Sequence, residues 1–120
     1  MVKSFRYAIA GVVAAAKSER NMRIHIVAAV AAISLGVCLG LSVCEWAVII
    51  LCIALVMSLE CANTAVEASV DLSSPDMHPL AKKAKDCAAG AVLLASIGSA
   101  VVGCIVFVPR LLSVFTSRAG

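Results

Sequence analysis

Residues 46–72 read WAVIILCIALVMSLECANTAVEASVDL. From Trp46 to Met57 the side chains are almost pure hydrocarbon, and no glycine or proline interrupts the run from there to Leu72. A helix through this stretch is long enough to cross a bilayer, whose apolar core takes about 20 residues. Yet Glu60, Asn63, Glu67 and Asp71 enter before it ends. At about 100° per residue these four side chains fall within about 80° of one another. They make one polar face on a membrane helix. An ionised carboxylate at membrane depth costs about 2.5 kcal/mol or more, so it ordinarily marks a site.

The rest of the composition agrees with a membrane protein. Of 120 residues, 62% are hydrophobic and only 14% charged, with a mean hydropathy of +1.06. A soluble domain is about half apolar and a quarter charged. The chain has room for three spans of about 20 residues with short connections. That is too little protein to enclose a large substrate alone, so a homo-oligomer is expected. Six cysteines, at 38, 44, 52, 61, 87 and 104, show no C-x-x-C spacing. Most stand in apolar runs and read as small hydrophobes, not as a disulfide or zinc site.

Working outward, Trp46 marks a membrane interface and opens the second span, 46–71. Before it, 24–43 (IHIVAAVAAISLGVCLGLSV) forms the first span. It carries His25 at its edge and a Gly36-x-x-x-Gly40 pair that hints at close helix contact. The turn is expected around Cys44 and Glu45. At the start of the chain, Phe5, Ala8, Ile9, Val12, Val13 and Ala16 recur at helical spacing away from Lys3, Arg6 and Lys17. Residues 3–20 therefore read as an amphipathic helix lying on the membrane surface. A signal peptide is the competing reading, but KSERNMRIH continues as charged helix. After the second span, LSSPDMHPL is loop chemistry. The third span, 84–108, has small residues every fourth position at Cys87, Ala91, Ala95, Ser99 and Gly103, which lets another helix approach closely. Pro109 and Arg110 are expected to stop it.

The charges orient these spans. Eight of the ten basic residues precede the first span or lie between the second and third. That bias puts the N-terminus and the 72–86 loop in the cytoplasm. Glu19 and the group His78, Lys82, Lys85 and Asp86 face the same compartment as the polar stripe. Carboxylates from separate helices, without a Cys or His cluster, suit Mg²⁺, and lysines beside them suit phosphate. The combination points to phosphoryl transfer from a nucleotide to a lipid hydroxyl. Against it, Asp71 and Glu67 can be read as emerged and solvated, the glutamates as assembly contacts, and the lysines as ordinary positive-inside charge. No Walker A or kinase-type glycine loop is present, and no nucleic-acid partner is expected.

At these residues the chain resembles the small bacterial integral-membrane lipid kinases, the prokaryotic diacylglycerol kinase and undecaprenol kinase family. That family's central signature resembles E-x-x-N-[ST]-A-[IV]-E-x-x-V-D, and residues 60–71 read ECANTAVEASVD. Its second, H-x-x-[AS]-x-x-A-K-D, is matched by HPLAKKAKD at 78–86. ERNMRIH at 19–25 is a weaker third element. The resemblance covers nearly the whole chain as a single membrane-embedded domain. It implies a homotrimer of three transmembrane helices and a surface helix per subunit, with sites at subunit interfaces. It implies ATP and Mg²⁺, with Glu60 as catalytic base at the lipid headgroup and Asn63 beside it. Glu19 and Glu67 would hold the metal on the phosphates. Lys85 and Asp86, with Tyr7, Asp76 and His78, would contact the nucleotide, and Arg23 the lipid headgroup.

The acceptor implied is undecaprenol, because ERNMRIH and NTAVE resemble the Gram-positive undecaprenol kinase branch; diacylglycerol is the alternative. The location implied is the bacterial cell membrane. A small multidrug transporter is a remote alternative, but such exporters have four spans with the essential glutamate in the first.

Overall fold

The structure, a computed structural model, describes residues 1–76 and 78–119; Met77, inside the expected 72–86 loop, lies outside them. Four helices stand in the order α1 Val2–Ser18, α2 Arg20–Leu39, α3 Val43–Ser73 and α4 Pro79–Ala119. The last three are long and apolar enough to cross a membrane. The described residues contain no β-strand.

Each connection has a local cause. Between α1 and α2 a single residue, Glu19, turns extended (φ −109°, ψ 118°). The expected continuous charged helix through KSERNMRIH is therefore interrupted, and the first helix ends at Ser18, not at 20. The orphan carbonyls at the end of α1 are met from α2: Arg23 Nη1 donates to Lys17 O at 2.9 Å and to Ala16 O at 3.2 Å.

The turn after the first span also falls earlier than expected. α2 stops at Leu39, and Gly40 takes the left-handed conformation (φ 68°, ψ 59°) that only glycine adopts at little cost. Cys44 and Glu45 are not in the turn but in the first turn of α3. Ser42 caps that helix: its hydroxyl accepts from the Glu45 amide at 3.2 Å, and Glu45 Oε1 accepts from the Ser42 amide at 3.0 Å. This is a capping box.

α3 spans the expected 46–71 with two or three further residues at each end. α4 departs most from expectation. It begins at Pro79, a residue suited to a helix's first turn. It then runs through Pro109 and Arg110 to Ala119 instead of stopping there. Proline removes one backbone bond but need not end an apolar helix in a membrane setting. Arg110 has a different task. Its Nε donates to Glu45 Oε2 at 2.9 Å, its Nη2 to Glu45 Oε1, and its Nη1 to the Leu39 and Gly40 carbonyls at 3.3 and 3.2 Å. One guanidinium thus joins the end of α2, the start of α3 and α4.

Near that lock lies the apolar cluster of Leu41, Ile49 and Val106, with Trp46, Ile53 and Phe107 against it. Gly36 permits it. A Cβ there would stand 2.7 Å from the Trp46 ring and 2.9 Å from Leu41. Of the α4 small-residue row, Ala95 is buried, whereas Cys87 is exposed and a Cβ on Gly103 would meet nothing within 4 Å. α3 and α4 make the most extensive pairing. All six cysteines are free thiols.

Candidate active site

The polar face of α3 points inward where it matters. Glu60 is completely buried and Asn63 nearly so, the only buried polar side chains among the described residues. Glu67 is half-buried and Asp71 exposed. The stripe therefore grades from interior to water over 11 residues, about 16 Å of helix.

Glu60 is the unusual member. Neither of its carboxylate oxygens has a hydrogen-bond partner, and the Asn63 Oδ1 and Ser96 Oγ atoms are likewise buried without one. Buried polar atoms are normally satisfied, so a cluster of four such atoms needs an explanation. They line or adjoin one cavity of about 340 Å³, bounded by Asn21 and His25 of α2, Glu60 and Asn63 of α3, and Val92 and Ser96 of α4. The nearest ionisable partner of Glu60 is His25, whose Nε2 stands 3.9 Å from Oε2. Glu19 and Glu67 both lie within electrostatic reach of Glu60.

Asn63 bridges the stripe's two glutamates in sequence and holds one in space. Its Nδ2 donates to Glu67 Oε1 at 3.4 Å, leaving Oε2 uncommitted. Lys85 reaches across from α4 to Asp71 at 2.8 Å and is also within electrostatic reach of Glu67. Glu60, Asn63 and Glu67 thus share one face of α3, Lys85 pairs with Asp71 further along it, and Glu19 lies within electrostatic reach of Glu60. Asp86 lies one residue beyond, paired with Lys82 at 2.5 Å.

The remaining expected residues stand apart from the cavity. Tyr7 is 71% exposed on α1. Asp76 is exposed in the loop. His78 accepts from the Leu80 amide at 3.1 Å, serving the start of α4. Arg23 is committed to the end of α1. Conversely, His25, Asn21 and Ser96 line the cavity without having been expected there. Asn21 and His25 had one available signal, their place in the ERNMRIH stretch that opens with Glu19.

Among the described residues no three Asp, Glu, His or Cys side chains form a ready-made metal site. Glu19 and Glu67 carry the hard oxygen donors that suit Mg²⁺ of the kind that arrives with a nucleotide. That ion is ordinarily held by one or two carboxylates, with phosphates and waters filling its other positions.

A family model described as prokaryotic diacylglycerol kinase matches residues 6–107. The chain is 45% identical over 109 residues to a Bacillus subtilis (strain 168) protein named undecaprenol kinase, covering 91% of this chain and 89% of that one. It is 50% identical over 114 residues to a Synechocystis protein named diacylglycerol kinase, covering 94% of this chain but 65% of that longer one. To the Escherichia coli K12 protein named diacylglycerol kinase it is 32% identical over 105 residues, covering 88% and 86%. With the family's pattern matched over residues 6–107, and Glu60 and Asn63 of the polar stripe lining one cavity, this chain belongs to the prokaryotic diacylglycerol kinase family.

Proposed function

We propose that this chain is an ATP-dependent lipid kinase that phosphorylates the hydroxyl of a membrane alcohol, undecaprenol, to give undecaprenyl phosphate. It works as a homotrimer in the bacterial cell membrane, with α1 on the surface and the N-terminus and 72–86 loop in the cytoplasm. The observation that carries this reading is Glu60: fully buried, with both oxygens unpartnered, beneath a stripe that rises to water.

Depth supports it. Fifteen residues separate Glu45 from Glu60, about 22 Å of helix, and Glu67 lies about 10 Å further. Across an apolar core of about 30 Å, Glu45 and Glu67 reach opposite interfaces, and Glu60 sits about two turns inside. A lipid hydroxyl comes to Glu60 from the membrane, and ATP comes to Glu67 from water.

In the reaction the lipid O–H bond breaks toward a Glu60 carboxylate oxygen. The lipid oxygen bonds to the γ-phosphorus as the bond to the departing ADP breaks. Asn63 orients Glu67; Glu19 and Glu67 would hold Mg²⁺, which would supply charge neutralisation at the phosphate oxygens. Lys85 and Asp86 contact the nucleotide, with Tyr7, Asp76 and His78 at its outer edge. Arg23 lies near the headgroup.

Diacylglycerol is the second reading, favoured by the 50% identity to the Synechocystis protein of that name. The test is transfer of label from γ-labelled ATP in mixed micelles offering each alcohol separately, with Mg²⁺ present or chelated. Mg²⁺-dependent label in undecaprenol is expected to be the faster. Faster labelling of diacylglycerol reverses the acceptor, and no label in either from an intact oligomer overturns the kinase.

A further inference from the structure

The geometry points to His25 as the residue that, with Glu60, holds the acceptor hydroxyl in place. This rests on the lipid-kinase reading and adds a group to it. His25 Nε2 and Glu60 Oε2 are 3.9 Å apart, too far for a good direct hydrogen bond. A single oxygen about 2.8 Å from each atom spans that gap at an angle of roughly 90°. A hydroxyl suits the position from both sides: it donates to the carboxylate and accepts from the imidazole N–H. With no third group inserted, the Glu60 Oε2 that faces His25 stays buried without a hydrogen-bond partner.

The surroundings say which hydroxyl. His25 and Ser96 line two cavities at once. One is the polar cavity of Glu60 and Asn63. The other, of about 240 Å³, is apolar, walled by Ala28, Ala32, Ile53, Val56 and Phe107 among others. The side chain of His25 thus stands where a polar compartment meets a hydrocarbon one, and it is itself 20% exposed. A molecule with one hydroxyl on an apolar body matches that boundary. Water or a sugar leaves the apolar side unfilled. When the hydroxyl proton passes to Glu60, the imidazole N–H remains on the oxygen and holds it in place. His25 touches the reacting atom and gives up no proton of its own in the step.

The test uses the intact oligomer in mixed micelles, with lipid alcohol and ATP varied separately. His25→Leu is expected to raise the lipid-alcohol KM and lower kcat/KM for it by about tenfold, with the ATP KM unchanged. His25→Gln, whose amide nitrogen reaches near the same point, is expected to recover most of that loss. His25→Asn falls a methylene short and is expected to behave like leucine; it serves if the leucine variant does not assemble. A deoxy analogue of the alcohol supplies a readout that simple packing would not move. In the parent protein it should inhibit less tightly than the alcohol binds, and this difference should shrink in the leucine or asparagine variant. Equal losses in the glutamine and asparagine variants, an unchanged lipid KM, or an undiminished deoxy difference overturns the role of His25. A parent protein that labels no lipid overturns the kinase reading instead, so the two failures are distinct.

Discussion

A buried carboxylate with no hydrogen-bond partner is less stable than a buried amide of the same shape. Glu60 occupies that unfavourable state, and residues that cost stability at a site ordinarily serve function. Glu60→Gln should therefore separate the two properties. Turnover should fall by about 100-fold or more, the scale of a lost general base, while thermal unfolding occurs at the same or a higher temperature. Unchanged turnover in an assembled protein would remove Glu60 from proton transfer. At Glu67 the expected loss differs, because one of its oxygens is fixed by Asn63 and the other is free. Glu67→Gln should raise the Mg²⁺ concentration for half-maximal activity by about tenfold; an unmoved Mg²⁺ titration would take it out of the metal site. Glu60, Asn63 and Glu67 were legible in the sequence because three polar residues on one helix face form a pattern. His25 and Ser96 were not. His25 closes the charged ERNMRIH stretch and Ser96 stands in a row of small residues, so neither forms a polar face of its own, and only the packing of α2 and α4 on α3 brings them to the Glu60 cavity.

The elements were legible as apolar runs, and their ends were not. The cause is that a single residue type does not say whether a helix ends at it. Glu19 breaks α1 from α2 without glycine or proline, and the break is satisfied by Arg23 reaching back six and seven residues. Arg110 reads as a stop after proline, yet it binds Glu45 and the carbonyls ending α2, about 65 to 71 positions away. The Gly36/Gly40 pair is equally divided. Gly36 is needed for space, since a Cβ would press on Trp46 and Leu41; Gly40 is needed for its left-handed backbone and has open space around it. Gly36→Ala should destabilise the fold by about 1–3 kcal/mol through overpacking. Gly40→Ala should cost about 1 kcal/mol through backbone strain, and Gly40→Asn, which tolerates that conformation, should cost less. Denaturant titration of the assembled protein checks all three. Equal effects of asparagine and alanine at 40 would show that backbone strain is not the cause there.

At the scale of the whole chain, little apolar surface is hidden. Val27, Val30 and Val37 on α2, Leu51 and Leu55 on α3, and Leu93, Leu94 and Ile105 on α4 are all more than half exposed. Lipid covers such surface, and in the proposed trimer neighbouring copies share it. The molecule extends 63 Å along its longest axis, about twice the apolar thickness of a bilayer. Which end faces the cytoplasm decides whether the site meets ATP. The Glu45–Arg110 lock and the Glu67–Lys85 end lie at opposite interfaces by helix length, and eight of ten basic residues belong with the second. Two thiols mark these ends, Cys44 beside Glu45 and Cys87 just past Lys85, and both are exposed. In variants retaining only one of them, an impermeant maleimide added to intact cells should label Cys44 and leave Cys87 until the membrane is opened. Labelling of Cys87 from outside would place Glu67 on the side without ATP. No arrangement of Glu60 and His25 could then make this chain a cytoplasmic-ATP lipid kinase, however well the site is formed.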